Sequence, residues 1–334
     1  MRVLALALAF ACCAQLRAQE ELAYAGRVVP PMVGPELPGA DAEAAKKLPE
    51  DKPKREWDRA MPFLAQRVID QGIDLPNPYS IGLSAYFGRE DRTLSSLAVG
   101  FNGAPLQDLG FVHFDRARVD YTSVQLQAGT WVFPFLNAYL IAGKTQGTGK
   151  IDIRVPGRDL MQFLGVPGCN LGPLLRPELC DRTLSGTAPA NYHGTTYGLG
   201  LTAAGAYKEL FFALPVTYVI SDVSMSDTKG KTWNVSPRAG WNHKLGDGGT
   251  LTLYGGATWL SSKLKITGTF DFDTAGTVLG RNTGMSYSID VKPKDNWNYL
   301  VGASWTIDRN WSLLLETGFG GSRQDLLLAG FLHF

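Results

Sequence analysis

Residues 297–307, WNYLVGASWTI, alternate apolar side chains with small or polar ones at a period of two. Trp297, Tyr299 and Val301 share one face of an extended segment, and Asn298 and Ser304 share the other. Successive side chains of a β-strand point to opposite faces, so the pattern predicts a strand with one apolar and one polar face. The same alternation recurs in residues 122–132, 195–203, 211–221 and 233–242. The chain from residue 79 onward is therefore predicted to be all-β.

The composition agrees with an all-β chain and excludes several other classes. The 334 residues include 38 Gly, 45% are hydrophobic and only 19% are charged. With 32 Lys and Arg against 31 Asp and Glu, the formal net charge is +1, without the basic excess of a nucleic-acid-binding protein. An intrinsically disordered chain would be less hydrophobic and more charged. Beyond the N-terminal segment, no apolar run reaches the roughly 18 residues of a transmembrane helix.

Two features of the alternating segments favour a sheet in a membrane over a soluble β-sandwich or a lipocalin-like barrel. The polar face carries Gly, Ser, Thr, Asn and Gln, with few of the Lys and Glu residues that cover a soluble sheet. Aromatic rings also collect at the headgroup level on both sides of a bilayer. At the predicted strand ends stand Trp131, Phe133, Phe135, Trp233, Trp241, Trp259, Trp297, Trp305, Trp311 and Phe319.

Short and long connections alternate along the predicted strands. The short ones lie at residues 133–135, 205–209, 243–249 and 308–310, and longer ones lie at about 147–193, 223–232 and 262–296. A barrel with tight turns on one side of a bilayer and longer loops on the other produces this alternation. If residues 80–101 form one long bent strand, the count is ten, and an even number brings both ends of the barrel to the same side.

The last predicted strand, DLLLAGFLHF at residues 325–334, ends in Phe334 with Leu332 on the same face. Here the sequence resembles bacterial outer-membrane β-barrel proteins, whose last strand typically ends in Phe and is recognised by the barrel assembly machinery. The resemblance covers about residues 79–334 and points to no particular subfamily. It implies an antiparallel up-and-down transmembrane β-barrel with outer-membrane lipid as its surroundings, and the count of predicted strands gives about ten, within a range of 8–12.

The N-terminal quarter divides into three segments. Residues 1–18 have a basic residue, an apolar stretch too short to cross a bilayer and small residues at two cleavage positions, which predicts a Sec-type signal peptide and export to the cell envelope. Residues 19–55 are rich in Pro, Ala and charges and predict a flexible periplasmic leader. Residues 56–78 predict one short amphipathic helix and a linker before the barrel at 79–334, with the helix resting on a neighbouring surface rather than plugging the barrel.

Two cysteines, Cys169 and Cys180, stand eleven apart in the stretch CNLGPLLRPELC. In an exported protein, such a pair predicts a local disulfide that closes a loop. A metal site is disfavoured because the stretch contains no His and only Glu178 as a carboxylate between the two thiols. No motif for a cofactor is present, so none is predicted.

The predicted lumen carries the most informative charges. By alternation, Arg238 and Glu316 point to the polar face, and Asp325 is a third candidate. A charge inside a narrow barrel is costly unless it is paired or hydrated, so Arg238 is predicted to engage an inward carboxylate. About eight strands leave an interior just filled by side chains, so ten strands predict a narrow or closed lumen.

Three functional hypotheses follow. The first is a non-enzymatic barrel, either a narrow porin-like pore for a small solute or a structural and surface-interaction protein. The second is a hydrolase at the barrel rim, with His193 and Asp181 or Asp159 brought together by the 147–193 loop, although no G-x-S-x-G or H-E-x-x-H motif occurs. The third is an adhesin-like surface protein. The first hypothesis is favoured.

Overall fold

The computed structural model describes residues 56–70, 75–101, 103–163, 165, 169–170, 177–224, 229–272 and 283–334. The predicted signal peptide at 1–18 and the predicted leader at 19–55 lie outside the described residues. Within them the chain forms two short α-helices, α1 (Ala65–Ile69) and α2 (Gly157–Phe163), and short 3-10 turns at Glu178–Asp181 and Gly246–Gly248. The strands are β1 (Tyr79–Phe101), β2 (Gln107–Asp108), β3 (His113–Phe133), β4 (Leu136–Pro156), β5 (Thr183–Tyr207), β6 (Leu210–Val223), β7 (Gly230–Val235), β8 (Arg238–Lys244), β9 (Thr250–Phe272), β10 (Thr283–Pro293), β11 (Trp297–Thr306), β12 (Trp311–Phe319) and β13 (Arg323–His333).

The sheet closes on itself because β1 pairs antiparallel with β3 on one side and β13 on the other. Going round, the order is β1, β3, β4, β5, β6, β7 with β8, β9, β11, β12 and β13. Strands β7 and β8 occupy one position, since both lie between β6 and β9 and only Ser236 and Pro237 separate them. Proline lacks the N–H that a central strand donates, which accounts for the interruption. The ring has ten positions, so the predicted up-and-down barrel and the single strand over 80–101 are confirmed.

The ring narrows at the end opposite the short turns. Strand β10 runs in the same direction as β11 but is displaced sideways. It therefore pairs with β9 and with the half of β1 that lies farther from the short turns, Arg92–Phe101. The hairpin of β12 and β13 ends closer to the short turns than β10 does. The ring at this level therefore consists of β1, β3, β4, β5, β6, β7, β9 and β10. The prediction of a long loop over 262–296 is wrong, because β9 extends to Phe272 and β10 occupies Thr283–Pro293.

The predicted loop over 147–193 is also largely strand. Strand β4 runs on to Pro156 and β5 begins at Thr183, and the two remain paired over this whole extension. Their connection is confined to residues 157–182, where α2 lies and a disulfide joins Cys169 to Cys180. The local disulfide that the cysteine spacing predicted is present, and Cys180 packs with Met161 of α2.

The outer face of the barrel is an apolar band. Large hydrophobic side chains are exposed around the whole ring, among them Leu83, Leu126, Leu140, Leu199, Phe212, Leu253, Val301, Leu315 and Leu328. Exposed aromatic rings border the band at both ends, with Phe135, Trp241, Trp305 and Trp311 near the short turns and Trp233, Trp297 and Phe319 towards the other end. A contiguous apolar surface of this extent requires a non-aqueous environment. The prediction that Trp131 belongs to the aromatic border is wrong, because its side chain is buried inside the barrel.

The segment just before helix α1 contacts the end of the barrel that carries the short turns. The backbone N–H of Phe63 donates to the carbonyl of Val132, and the Phe63 ring stands 6.0 Å from that of Phe133. The residue two positions before the helix thus contacts the β3–β4 turn. No helix in the described ranges has the length and apolarity to cross a membrane.

Candidate lumen site

The barrel interior is crossed by an ion pair near mid-height. Arg238 on β8 donates from Nε to Glu316 Oε2 on β12 at 2.9 Å, and its Nη2 stands 2.8 Å from the same oxygen. The Tyr254 hydroxyl on β9 donates to that oxygen at 3.3 Å. Arg238 and Glu316 are 3% and 1% exposed, so the pair is shielded from water.

A second charged layer lies in the lumen at the junction of β1 and β13, farther from the short turns than the Arg238–Glu316 pair. Arg92 Nη2 stands 3.1 Å from Glu90 Oε2, and Arg323 Nε stands 3.8 Å from Asp325 Oδ2. Asn298 of β11 donates to the same Asp325 oxygen at 3.0 Å. Glu90 and Arg323 are register partners across the β1–β13 seam, which places the two pairs side by side. The layer contains two cations and two anions, and all four side chains are buried.

Two stacked tyrosines bridge β1 and β3 beside the charged layers. The rings of Tyr86 and Tyr121 are 5.5 Å apart, and the Tyr121 hydroxyl donates to that of Tyr86 at 3.3 Å. Tyr86 is the register partner of Leu327, which in turn pairs with Glu316. Both rings are buried inside the barrel, and their hydroxyls are hydrogen-bonded to each other, as buried hydroxyls require.

Inward glycines accommodate inward aromatic rings on neighbouring strands. A Cβ added to any of these glycines would fall within 3.0 Å of ring atoms, so the ring occupies the space that a side chain would need. The pairs are Gly82 with Phe331, Gly88 with Tyr121, Gly147 with Tyr192, Gly200 with Tyr139, Gly268 with Tyr287 and Gly302 with Tyr254. Close backbone approach is a recognised reason for glycine in a strand. The high glycine content of the chain is partly explained by this packing.

The remaining lumen wall, on β3 to β7, is lined by uncharged polar side chains. Gln125 donates to the Ser123 hydroxyl at 3.1 Å, and the hydroxyls of Tyr139 and Thr217 are 2.9 Å apart. Asn137 is fully buried on this wall, and its amide has no partner among the described residues. Buried amides that lack a protein partner are commonly satisfied by water, which this wall has the polarity to hold.

All three lumen residues that the sequence predicted have side chains inside the barrel. The structure brings Arg238 and Glu316 together and places Asp325 in the upper layer. Sequence reasoning missed Glu90, Arg92 and Arg323. Glu90 and Arg92 were detectable, because both stand on the same face of β1 as Ser84 and Tyr86, which is the lumen side.

The C-terminal residues close the barrel at the end with the short turns. Phe334 and Tyr79 exchange backbone hydrogen bonds of 2.9 and 3.1 Å, and their rings are 6.0 Å apart. The side chains of Leu332 and Phe334 lie on the outer, exposed face. This is the face available to another protein or to lipid.

The residues of the hydrolase hypothesis do not form a catalytic arrangement. His193 lies on β5 with its side chain on the outer face, and its ring makes no hydrogen bond or ion pair with a described residue. His333 lies elsewhere, at the end of the barrel with the short turns, where it is buried and its Nε2 is 2.8 Å from the Ser312 hydroxyl. Within the described ranges, no group of three or more His, Cys, Asp or Glu side chains could hold a metal ion.

A closed antiparallel ring with an apolar outer band, aromatic borders and a polar, ion-paired interior defines a class: the chain has the fold of an outer-membrane β-barrel. No family model and no curated relative matches the sequence.

Solved structures that are similar to this chain are themselves outer-membrane barrels. The outer membrane protein OprG from Pseudomonas aeruginosa is 14% identical, with 78% of this chain and 100% of that chain covered and a TM-score of 0.36. The transport unit of the autotransporter AIDA-I from Escherichia coli is 10% identical over 76% of this chain and 90% of that chain, with a TM-score of 0.32. The Pseudomonas putida toluene transporter TodX is 10% identical over 78% of this chain and 90% of that chain, with a TM-score of 0.31.

Proposed function

We propose that the protein is a non-enzymatic outer-membrane barrel that forms a narrow pore for a small solute, and that the Arg238–Glu316 pair closes this pore in the present conformation. The supporting observation is the ion pair itself, which lies across the lumen and is almost fully excluded from solvent. A solute crossing the barrel at this level has to displace or separate the two side chains.

The chemistry of the lumen favours a pore over a purely structural barrel. Replacing a buried ion pair with well-packed apolar residues is often neutral or stabilising, so stability alone gives little reason to keep six charged side chains in the interior. The amide of Asn137 and the hydroxyls along β3 to β7 are suited to hold water. Removal of the Arg238–Glu316 pair would widen a hydrated path along this wall at the level of the pair.

Single-channel recording in planar bilayers tests the proposal. We expect the wild-type barrel to give small, brief current steps. The double variant Arg238→Ser with Glu316→Ser should give larger and longer steps, because two long side chains are removed from the narrowest level while the lumen charge stays balanced. If neither protein carries current above that of the lipid alone, the proposal of a pore is wrong.

The matched control removes a different ion pair. Arg89 Nε stands 2.6 Å from Asp120 Oδ1 on the outer surface, where both side chains are at least half exposed. The double variant Arg89→Ser with Asp120→Ser also removes one arginine and one carboxylate but leaves the lumen intact, so its conductance should match the wild type. An equal rise in both double variants would indicate general loosening of the barrel rather than an opened constriction.

Export and assembly complete the proposal. Residues 1–18 act as a Sec-type signal peptide, residues 19–55 form a periplasmic leader, and the strand that ends in Leu332 and Phe334 is recognised by the barrel assembly machinery. We expect N-terminal sequencing of the protein from outer-membrane fractions to begin at residue 15 or residue 19. A mature protein that retains Met1, or one recovered from the periplasm without detergent, would contradict this assignment.

A further inference from the structure

We propose that three lysines on the outer surface, Lys231, Lys263 and Lys292, bind the phosphate groups of lipid headgroups in the outer leaflet of the membrane. We call this set the lysine row. The inference rests on the proposed outer-membrane location, with the short turns on the periplasmic side, and it is independent of whether the lumen conducts.

Strand register places the three lysines next to one another. Lys231 of β7 is the direct partner of Lys263 of β9. Leu264 pairs with Val291 of β10, so the next position along each strand brings Lys292 beside Lys263. All three side chains are exposed on the outer face. Adjacent strands are about 4.8 Å apart, so the row spans roughly 10 Å around the barrel.

The row lies at the height where headgroups are expected. Trp233 follows Lys231 by two residues on the same face of β7, and its ring is half exposed. On β9, Trp259 pairs with Trp297 of β11, again below the row. Aromatic rings of this kind mark the membrane–water interface, so the ammonium groups stand just above the apolar band on the side with the long connections.

Several charges on the outer surface of β1, β3 and β4 are paired with an opposite charge. On β1 and β3, the Arg118 side chain binds Asp91 at 2.8 Å. The Arg89–Asp120 and Arg154–Asp115 pairs are similarly matched. In contrast, no described carboxylate forms an ion pair with Lys231, Lys263 or Lys292. The neighbouring Asp290 faces Lys265 at 4.0 Å.

An anionic ligand explains why the row is tolerated. Like charges directly opposite one another on neighbouring strands are destabilising, and the Lys231–Lys263–Lys292 arrangement has two such contacts. Lysine is a compact donor that binds phosphate as a point charge. A phosphate on a lipid whose acyl chains lie along the apolar band would contact the row without leaving the membrane. Water-soluble anions lack that second contact.

Native mass spectrometry of the folded full chain in neutral detergent tests the proposal, with lipid A as the probe. We expect the wild type to retain the lipid. The triple variant Lys231→Gln, Lys263→Gln and Lys292→Gln should bind at least about tenfold more weakly, because a lysine near an anionic surface contributes a factor of about five. Dephosphorylated lipid A should bind the wild type and the triple variant equally.

Two comparisons separate the row from general charge effects. A control triple variant, Lys144→Gln, Lys150→Gln and Lys208→Gln, removes the same charge from exposed positions on β4 and the β5–β6 turn, and its affinity should stay within about twofold of the wild type. Excess inorganic phosphate should compete poorly with the lipid. Equal losses in the two triple variants, no loss in the row variant, or full competition by free phosphate would each overturn the proposal.

A single substitution keeps the proposal testable if the triple variant folds poorly. Lys263→Glu converts both like-charge contacts into opposite-charge contacts, so we expect a higher unfolding temperature in neutral detergent together with weaker binding of lipid A. Unchanged lipid binding by a folded Lys263→Glu protein would overturn the lysine row. The conductance of these variants should equal that of the wild type, so failure of the pore and failure of the lysine row are distinguishable.

Discussion

Replacing Glu316 with alanine should lower the free energy of unfolding by about 3–5 kcal/mol, the cost of leaving a buried charge without its partner. Arg238 would stay inside the barrel with its guanidinium facing the Tyr254 hydroxyl, a donor that offers no negative charge. Urea titration of the barrel in detergent micelles, followed by tryptophan fluorescence, measures the change.

A double variant distinguishes an unpaired charge from lost packing. Glu316→Leu combined with Arg238→Met removes both charges and keeps most of the volume, so we expect its stability to return to within about 1.5 kcal/mol of the wild type. If Glu316→Ala costs less than about 1 kcal/mol, water reaches the guanidinium and the lumen is wetter at this level than the structure indicates. Failure of the double variant to recover would assign the loss to packing.

Substituting Gly302 with alanine should lower the free energy of unfolding by about 1–3 kcal/mol, the usual effect of overpacking a closely packed interior. The new Cβ would overlap the ring of Tyr254, which lies across Gly302 from the neighbouring strand. The ring cannot swing outward through the sheet, so it would have to tilt into the lumen and withdraw its hydroxyl from Glu316. The same urea titration reports the loss.

Gly255 provides the matched control for this substitution. It pairs with Val301, one position from Gly302, but it faces the outer surface, where the nearest atom to an added Cβ is 3.8 Å away. Gly255→Ala should therefore leave stability unchanged or slightly raised, since alanine costs less backbone entropy than glycine. A similar loss from both substitutions would show that β-sheet propensity, and not the aromatic ring, makes Gly302 necessary.

The membrane-spanning part of the fold was predictable because the bilayer imposes a strict pattern. Within the apolar band, side chains such as Tyr299 and Val301 must be apolar on the outside, and residues between them are free to be polar. The ten ring positions and the single strand over 80–101 follow from this constraint. Trp131 was misassigned because an aromatic residue at a strand end fits the lumen as well as the interface.

The strand segments beyond the apolar band were not predicted because their outer face contacts water and does not have to be apolar. In β10 the alternation is reversed, with Ile289 and Val291 packed inside and Asp290 and Lys292 on the outside. The extension of β4 over residues 147–156 likewise has polar side chains on its outer face. A search for both phases of the alternation, rather than one, would have found these strands.

The lumen site was predicted in part. Alternation alone identified Arg238 and Glu316 as inward charges, but their contact depends on strand stagger around the ring, which a sequence of separate segments does not specify. Arg323 was missed because it is the first residue of β13, directly after the β12–β13 turn. The alternation that identifies inward side chains can be followed only within a strand. The lysine row depends in the same way on register between three strands.

The double pairing of β1 has a consequence for the order of events after synthesis. This first strand can find its neighbours β10 and β13 only when the C-terminal third of the chain has been delivered, because residues near 80 and 333 meet across the seam. Until then β1 and the growing sheet each present a free hydrogen-bonding edge, the feature by which strands aggregate. A chaperone or an assembly factor that masks the N-terminal edge would therefore protect nascent chains more effectively than one that masks the C-terminal edge, which is the last to appear.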